Sequence, residues 1–240
     1  MLQMALTLAA FGCHTAAIGM IQMGQRGITI GMQRTRARRN GRLTRQRILA
    51  AATKEFAAKG LEGARVDEIA LRSRANKNMI YHYYRSKDGL FQSVLEEMYG
   101  TIRTHQGDME IKNLRPAEGM RVLVESMFDV FQQFPEFVSL LQSENLAKAG
   151  HIKSSAKIAA LYNPLATTLR SLLRRGSVAG VFRSAINPID LYVSISSLSA
   201  YHISNRYTLS ALFGTDIGSA GAARRRRSHV VDVILRYVSK

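Results

Sequence analysis

The residues from Ala75 to Tyr84 read ANKNMIYHYY and place three tyrosines and one histidine in four consecutive positions. Such a density of rings fits a packed core, a platform for base stacking, or half of a metal site. A metal site is disfavoured, because no other histidine stands at ligand spacing from His82. A stacking platform needs rings spread over a sheet or groove, whereas these crowd one helical turn. We assign no role to His82.

A helical period divides this stretch into two faces. Ile80 and Tyr84 are one turn apart and point to the same side, which we expect to be the core. Lys77, Asn78 and Tyr81 lie on the opposite side. Amine, amide and phenol groups on a short helix can form hydrogen bonds with base edges in a major groove. The stretch therefore predicts one packing face and one polar recognition face.

Four predicted helices must position these two faces. Thr44, Asn76 and Ser86 are the predicted caps of the first, third and fourth of them. Two short helices joined by a tight turn, the first tipped with acids and the second rich in Lys, Asn and Tyr, are typical of a helix-turn-helix. Capping residues and apolar spacing place the four helices at about 44–59, 66–73, 77–83 and 87–104.

From about residue 105 the composition shifts to larger amphipathic helices. Two of them are predicted to begin at Pro116 and Pro135, where a proline suits the first helical position. No strand alternation competes with this pattern, so the predicted fold class is all-α, with a small basic domain followed by a larger apolar one. The remaining helices are predicted at about 155–175, 188–212 and 220–239.

Two apolar patterns in this half have alternative interpretations. A stripe of methionines and aromatic residues either lines a ligand cavity or is ordinary core, and the second is more common. Its members are Met120, Met127, Phe128, Phe131, Phe134, Phe137 and Tyr162. The stripes of the last two long helices suit a dimeric four-helix interface. They consist of Leu191, Ile195, Leu198, Val230, Val233, Ile234 and Tyr237.

The charge of the chain is far from balanced. Its 240 residues carry a formal net charge of +17 at pH 7, which favours nucleic acid or an anionic membrane surface as a partner. No Asp or Glu precedes Glu55, while seven arginines fall between Arg34 and Arg47. A second run extends from Arg224 to Arg227. A run of arginines is equally consistent with a solvated face, so charge alone leaves both interpretations open.

The amino-terminal residues match neither a signal peptide nor a spanning helix. The first arginine, Arg26, follows the apolar run instead of preceding it, and polar residues and glycines dilute that run. We expect residues 1–33 to be a poorly ordered extension, with a weak membrane-associating arm as the alternative, and residues 34–43 to be a basic arm. Cys13 is the only cysteine, which excludes an internal disulfide framework and favours a reducing cytoplasm.

A spaced set of motifs resembles the TetR family of bacterial transcriptional regulators. The motifs are VDEIA at 66–70, ANK at 75–77, IYHYY at 80–84 and SKDGLF at 86–91. The resemblance covers about residues 44–95 and is weaker over 187–214. It implies an all-α homodimer with an amino-terminal three-helix helix-turn-helix DNA-binding domain at 44–92. The larger helical domain, at 93–240, would then bind an effector and form the dimer.

The resemblance also implies which residues contact DNA. Lys77, Asn78 and Tyr81 fall where members of the family meet bases or nearby backbone. The residues expected at phosphates are Thr44, Arg65, Tyr83 and Lys87, and Arg45 completes the set of expected DNA contacts. For two of them a structural role is the alternative: Tyr83 could be part of the core, and Lys87 could simply cover the start of a helix.

Two residues depart from the family pattern. Arg65 stands where Thr or Ser usually caps the second helix, so we expect a weaker cap. Arg74 stands where the turn usually has glycine, so we expect a strained left-handed backbone there.

The implied function is a ligand-responsive, sequence-specific DNA-binding regulator, most often a repressor. Its implied partners are double-stranded DNA with a near-palindromic operator, a second copy of the chain and an unidentified small-molecule effector. No cofactor, metal or membrane partner is expected. One alternative is a non-specific basic nucleic-acid-binding protein, which would not need a large apolar half. An enzyme is the other, and the sequence contains no catalytic triad, glycine-rich phosphate loop or carboxylate pair in a plausible cleft.

Overall fold

The computed structural model describes residues 40–106 and 110–240, apart from the side chains of residues 105, 106, 110 and 162–164. The chain divides into residues 1–47 and residues 48–240. Residues 40–47, the described part of the first unit, are helical. The predicted extension at 1–33 and residues 34–39 of the predicted basic arm lie outside the described residues.

The regular secondary structure in the described part of the second unit consists of helices, which confirms the all-α prediction. Its one β-type contact within that part is an isolated bridge between Phe182 and Ser239. None of the described helices is long and apolar enough to cross a membrane. Helix α1 occupies residues 48–63 of this unit. The others are α2 (Val66–Ser73), α3 (Lys77–Tyr84), α4 (Lys87–Gln106), a 3-10 turn (Glu110–Asn113), α5 (Pro116–Gln133), α6 (Pro135–Leu146), α7 (Gly150–Ser154), α8 (Ala156–Val178), α9 (Pro188–Ser204), α10 (Arg206–Phe213) and α11 (Ala220–Val238).

The helix starts follow the local hydrogen-bonding chemistry of the sequence. The Asn76 side chain accepts a hydrogen bond from the backbone N–H of Asn78 at 2.8 Å, as a cap of α3 should. The Ser86 hydroxyl accepts one from the N–H of Gly89 at 2.9 Å at the start of α4. Helices α5, α6 and α9 have proline in the first turn, where its missing N–H costs nothing.

The first predicted helix, at 44–59, needs a correction at each end. The described chain is already helical at residue 40, and the Thr44 hydroxyl donates to the carbonyl of Asn40 at 2.9 Å. Thr44 is therefore not a cap, because its hydroxyl bonds back to the preceding turn. At the other end Gly60 is left-handed, with φ 69°. The helix nevertheless gains one more turn, in which the Ala64 N–H bonds to the Gly60 carbonyl at 3.2 Å.

The segment predicted as one helix over 188–212 consists of two. It breaks at Asn205, whose side-chain amide donates to the carbonyl of Tyr201 at 3.0 Å and to the hydroxyl of Ser204 at 2.8 Å. An asparagine side chain that bonds to nearby backbone competes with the helix. Apolar periodicity continues across such a break, which is why the sequence pattern did not predict it.

Two large apolar clusters stabilise the second unit. One is formed mainly by α5, α8, α9 and α11 around Met120, Leu123 and Phe128. The other surrounds α1 to α4 and also contains Leu140 of α6 and Ile158 of α8. The predicted boundary between residues 92 and 93 stays a prediction, because this second cluster combines residues from both sides of it.

The predicted dimer stripe is wrong for four of its residues. Leu191 and Ile195 of α9 and Val230 and Ile234 of α11 are between 0% and 2% exposed and belong to the chain's own core. An apolar stripe indicates that a face is covered, and it does not indicate which chain covers it. Tyr237, by contrast, remains 47% exposed.

Both departures that the sequence predicts occur at the ends of α2. The side chain of Arg65 forms no capping hydrogen bond at the start of α2. Arg74 is left-handed, with φ 53° and ψ 37°, and its N–H bonds to the carbonyls of Ala70 and Leu71. A side chain in this conformation costs about 1–2 kcal/mol relative to the right-handed one. The turn between α2 and α3 thus keeps its geometry at an energetic cost.

We predict that Arg74→Gly stabilises the protein. Glycine removes the left-handed strain but adds disorder to the unfolded chain, so the expected net gain in the free energy of unfolding is about 0.5–1 kcal/mol. Urea unfolding at pH 7 measures it. Arg74→Ala is the matched control, since it removes the charge and keeps the strain. An equal gain in both variants would attribute the effect to charge and contradict the prediction.

Candidate nucleic-acid interface and ligand cavity

Helix α3 has the two faces that its sequence predicts. Ile80 is 1% exposed inside the cluster around α1 to α4, and Tyr84 is half-buried against that cluster. On the other face Lys77 and Asn78 are exposed and Tyr81 is 39% exposed. The start of α3 therefore presents polar side chains to solvent while its other face is packed in the core. A helix that enters a major groove needs this arrangement.

An exposed ion pair joins α2 to the start of α3. Lys77 Nζ lies 2.8 Å from Asp67 Oδ1. The hydrogen bond from Lys77 lowers the pKa of Asp67, and the same bond raises the pKa of Lys77. Both groups therefore stay charged at neutral pH. A contact between Lys77 and an anion must share or replace the Asp67 carboxylate.

Lys87 has a structural contact at the end of a helix and not at the start of one. Its Nζ donates to the carbonyl oxygens of Glu62 at 3.2 Å and Ala64 at 3.4 Å, at the end of α1. A cation is favoured there, because the last carbonyls of a helix carry partial negative charge. Tyr83 is likewise half-buried and packs against the cluster around α1 to α4.

The remaining predicted DNA contacts lie outside α3 and α4. The Arg65 side chain is exposed, and its backbone N–H donates to Glu55 Oε1 at 3.4 Å. Thr44 and Arg45 belong to the first unit, where Arg45 is exposed and the Thr44 hydroxyl accepts a hydrogen bond from Arg47 Nη2 at 3.3 Å.

Glu55 is a buried carboxylate that fixes α2 against α1. Its side chain is 0% exposed and lies 2.8 Å from Lys59 Nζ and 3.5 Å from Arg72 Nη1. The hydrogen bond from Lys59 is the largest cause that lowers the pKa of Glu55, and burial acts in the opposite direction. The sequence interpretation missed this residue. The available signal was an acid on the apolar stripe, directly before Phe56.

The glycine of the SKDGLF motif has a steric explanation. A Cβ atom at Gly89 would lie 2.2 Å from the carbonyl oxygen of Tyr84. The first turn of α4 thus passes so close to the end of α3 that only glycine fits.

An apolar cavity of about 90 Å³ lies among α4, α5, α6, α8 and α9. Three residues of the predicted stripe, Met127, Phe131 and Phe137, line it. Met120 and Phe128 are instead part of the core, as the alternative interpretation of the stripe holds. Phe134 packs against a separate small cluster, and the side chain of Tyr162 lies outside the described residues.

The cavity has polar groups at its wall. Tyr99 and Arg103 of α4 and Tyr192 of α9 line it beside the apolar residues. Burial raises the pKa of Tyr99 to about 12, so its phenol is neutral at physiological pH. Ligand sites usually have several hundred Å³, so a metabolite must widen this cavity in order to enter it.

Family models match both halves of the chain. Residues 48–94 match the model described as bacterial regulatory proteins, tetR family. Residues 116–234 match the model described as tetracyclin repressor-like, C-terminal domain.

Individual proteins resemble most of the chain. The HTH-type transcriptional repressor NicS of Pseudomonas putida is 34% identical over 193 residues, which is 80% of this chain and 91% of that protein. The putative transcriptional regulator SCO4942 of Streptomyces coelicolor has a crystal structure with a TM-score of 0.61 and 28% identity, covering 81% of this chain and 98% of its own. A regulatory protein from Rhodococcus RHA1 reaches a TM-score of 0.65 at 18% identity, covering 82% and 97%, and shows the same fold.

We predict that Glu55→Gln destabilises the protein in a pH-dependent way. Losing charged hydrogen bonds at a buried site should lower the free energy of unfolding by about 2 kcal/mol at pH 7. Because the folded protein lowers the pKa of Glu55, its contribution is complete above the unfolded pKa of about 4.3 and disappears as pH falls through the folded value.

Urea unfolding of both proteins between pH 7 and pH 3 measures this difference. Glu62→Gln, at an exposed position near the end of α1, is the control and should be neutral. A constant difference between Glu55→Gln and the parent protein across this range would contradict the assignment of the effect to the carboxylate charge.

Proposed function

The chain belongs to the TetR family of bacterial transcriptional regulators, and from this premise we propose that it is a repressor that leaves its operator when a small molecule binds. The observation that carries the proposal is the α2–α3 pair. There the exposed Lys77, Asn78 and Tyr81 stand on a buried Ile80 at the start of the second helix. Side chains at this position of a helix-turn-helix reach base edges.

The proposed DNA-contacting side chains differ in the partners that they have within the fold. Tyr81 and Asn78 are available for bases, whereas Lys77 must exchange or share Asp67. The Lys87 ammonium already donates to the carbonyls of Glu62 and Ala64. A phosphate would therefore accept a hydrogen bond from its third N–H. The phosphate-contacting set is completed by Thr44, Arg45, Arg65 and Tyr83.

Each proposed domain has its own role. Residues 44–92 bind DNA, residues 93–240 bind effector and partner, and residues 34–43 add charge that steepens the dependence of binding on salt. We place the protein in the cytoplasm and assign it no enzymatic activity, since its relatives are named as regulators. A non-specific basic protein is the second candidate, and the apolar cavity of the larger half argues against it.

A homodimer is proposed through the exposed faces of α9 and α11. Ile189 and Val193 of α9 are 65% and 53% exposed and lie one turn apart. Tyr237 of α11 is 47% exposed, with the Arg183 guanidinium 4.3 Å from its ring centroid. An isologous pairing of these faces would place two copies of α3 on successive major grooves of a near-palindromic site.

The effector is proposed to act by widening the cavity among α4, α5, α6, α8 and α9. Helix α6 forms part of its wall, and the buried Glu144 stands on that helix. Glu144 Oε2 lies 2.7 Å from His151 Nδ1, and His151 Nε2 lies 3.5 Å from Asp88 Oδ1. Asp88 is in the first turn of α4, which follows α3 in the chain. A shift of α6 would thus reach α3 through a short polar chain.

The first test of function is selection of bound DNA from a random pool, with an inverted repeat as the expected product. We predict that Tyr81→Ala lowers the preference for this operator over scrambled DNA about tenfold, because a base contact is lost. Tyr207→Ala, at a tyrosine of α10 that is 76% exposed, is the matched control. Equal affinity for operator and scrambled DNA in the parent protein would favour the non-specific candidate.

The dimer is tested separately. We predict that Val193→Asp shifts the mass measured by light scattering after size exclusion from dimer to monomer, because a charge at an apolar interface loses its hydration. Val178→Asp, at a valine of α8 that is 85% exposed, should leave the mass unchanged. A dimer that survives Val193→Asp would show that another face is used.

A further inference from the structure

The four arginines from Arg224 to Arg227 have different environments, although the sequence presents them as one run. Arg227 forms two hydrogen bonds of 2.8 Å with the carboxylate of Asp129 and lies 3.2 Å from Glu125. Hydrogen bonding to Asp129 is the largest cause that raises its pKa. Arg227 is therefore neutralised within the fold and is not a free cation.

Arg226 is a partly buried cation that lacks a carboxylate. Its Nε and Nη2 atoms donate to the carbonyl of Leu198 at 3.2 and 3.0 Å. Burial lowers its pKa, since the guanidinium loses water without gaining an opposite charge. In the described part of the chain no ion pair forms with Arg225, Arg226 or His229.

These three residues line one pocket of about 450 Å³ between α9, α10 and α11. Its basic side consists of Arg225, Arg226 and His229, and no acidic residue is among those that line it within the described chain. Arg225 and Arg226 lie in the second turn of α11, which begins at Ala220, and His229 lies in the third. The local field thus favours an anion.

A buried histidine with an unused nitrogen completes the polar side. His202 is 7% exposed and lines the pocket. Its ring stacks on Phe128 at 5.2 Å, and its Nε2 contacts the side-chain amide of Gln132. Its Nδ1 has no hydrogen-bond partner in the described structure, which is costly for a buried polar atom. Burial and the nearby Arg226 lower the pKa of His202 to about 4, so the ring is neutral at pH 7.

The other residues that line the pocket are mainly apolar. Leu209 of α10, Ile217 of the following loop and Ala222 of α11 line it together with Tyr201. A bare inorganic anion would leave this surface hydrated, whereas a ring or short alkyl chain would cover it.

We propose that this pocket binds a small organic acid, with the carboxylate between Arg225 and Arg226 and the apolar body against Leu209 and Ile217. The bound carboxylate supplies the negative charge that Arg226 lacks. Arg225 and Arg226 of the second arginine run are thereby assigned to a small ligand.

The pocket is separate from the cavity among α4, α5, α6, α8 and α9. It lies near the end of α9 and near the start of α11, whereas Ile189, Val193 and Tyr237 lie at the other ends of these two helices.

The test uses benzoate as the probe, with the full chain, calorimetry and constant ionic strength. We expect benzoate to bind, and Arg225→Ala to weaken binding about tenfold through loss of a charge-assisted hydrogen bond. Arg224→Ala is the matched control, because it removes the same charge from an exposed neighbour that does not line the pocket. Benzamide, which is neutral and similar in shape, should bind at least about tenfold more weakly than benzoate.

Proton and carbon resonances of the His202 and His229 rings give a second readout, since both should shift with benzoate in the parent protein and in Arg224→Ala. Equal losses in Arg224→Ala and Arg225→Ala would overturn the proposal by reducing it to overall charge. Equal binding of benzamide, or absence of benzoate binding, would overturn it as well. Tighter binding of inorganic phosphate than of benzoate would overturn the assignment to an organic acid.

Discussion

The buried carboxylate of Glu55 is the interaction on which the recognition face depends. It joins three parts of the chain: Lys59 in the next turn of α1, the backbone at Arg65, and Arg72 in the last turn of α2. A buried charge is stable only when its partners stay in place, so it fixes the direction of α2 more strictly than apolar contacts would. Helix α3 takes its own position from α2 through the strained turn at Arg74.

The small number of acidic residues determines which positive charges stay exposed at the surface. The chain has 34 Lys and Arg residues and 17 Asp and Glu residues, so cationic side chains outnumber acidic ones two to one. Several acids are committed to joints between helices, as Asp67 is to Lys77 and Asp129 is to Arg227. The charge that remains at the surface is thereby selected by the fold, and a long-range attraction for polyanions follows from it.

The larger half is connected to the recognition helix by packing and by polar contacts. Leu140 of α6 and Ile158 of α8 belong to the apolar cluster that holds α3. The His151 ring also packs edge-on against Phe91 of α4 at 5.0 Å. A tightly packed interior transmits displacement because it has no free volume in which to absorb it. A displacement of the helices around the small cavity therefore has a physical route to α3.

The sequence by itself determined the helical class, the short helices α2 and α3, their caps, and the two faces of ANKNMIYHYY. These features depend on neighbours within a few residues, which the chain order specifies directly. Asn76, Ile80 and Arg74 were each predicted in the conformation or burial that they have.

Only the tertiary structure decided which partner each side chain meets. The stripes at Leu191 and Val230 turned inward to the chain's own core, the run from Arg224 divided among a carboxylate, a carbonyl and an open pocket, and Glu55 became the joint of the DNA-binding helices. Periodicity states that a face is covered or that a charge is present. The identity of the covering group depends on residues distant in sequence, and folding alone brings those together.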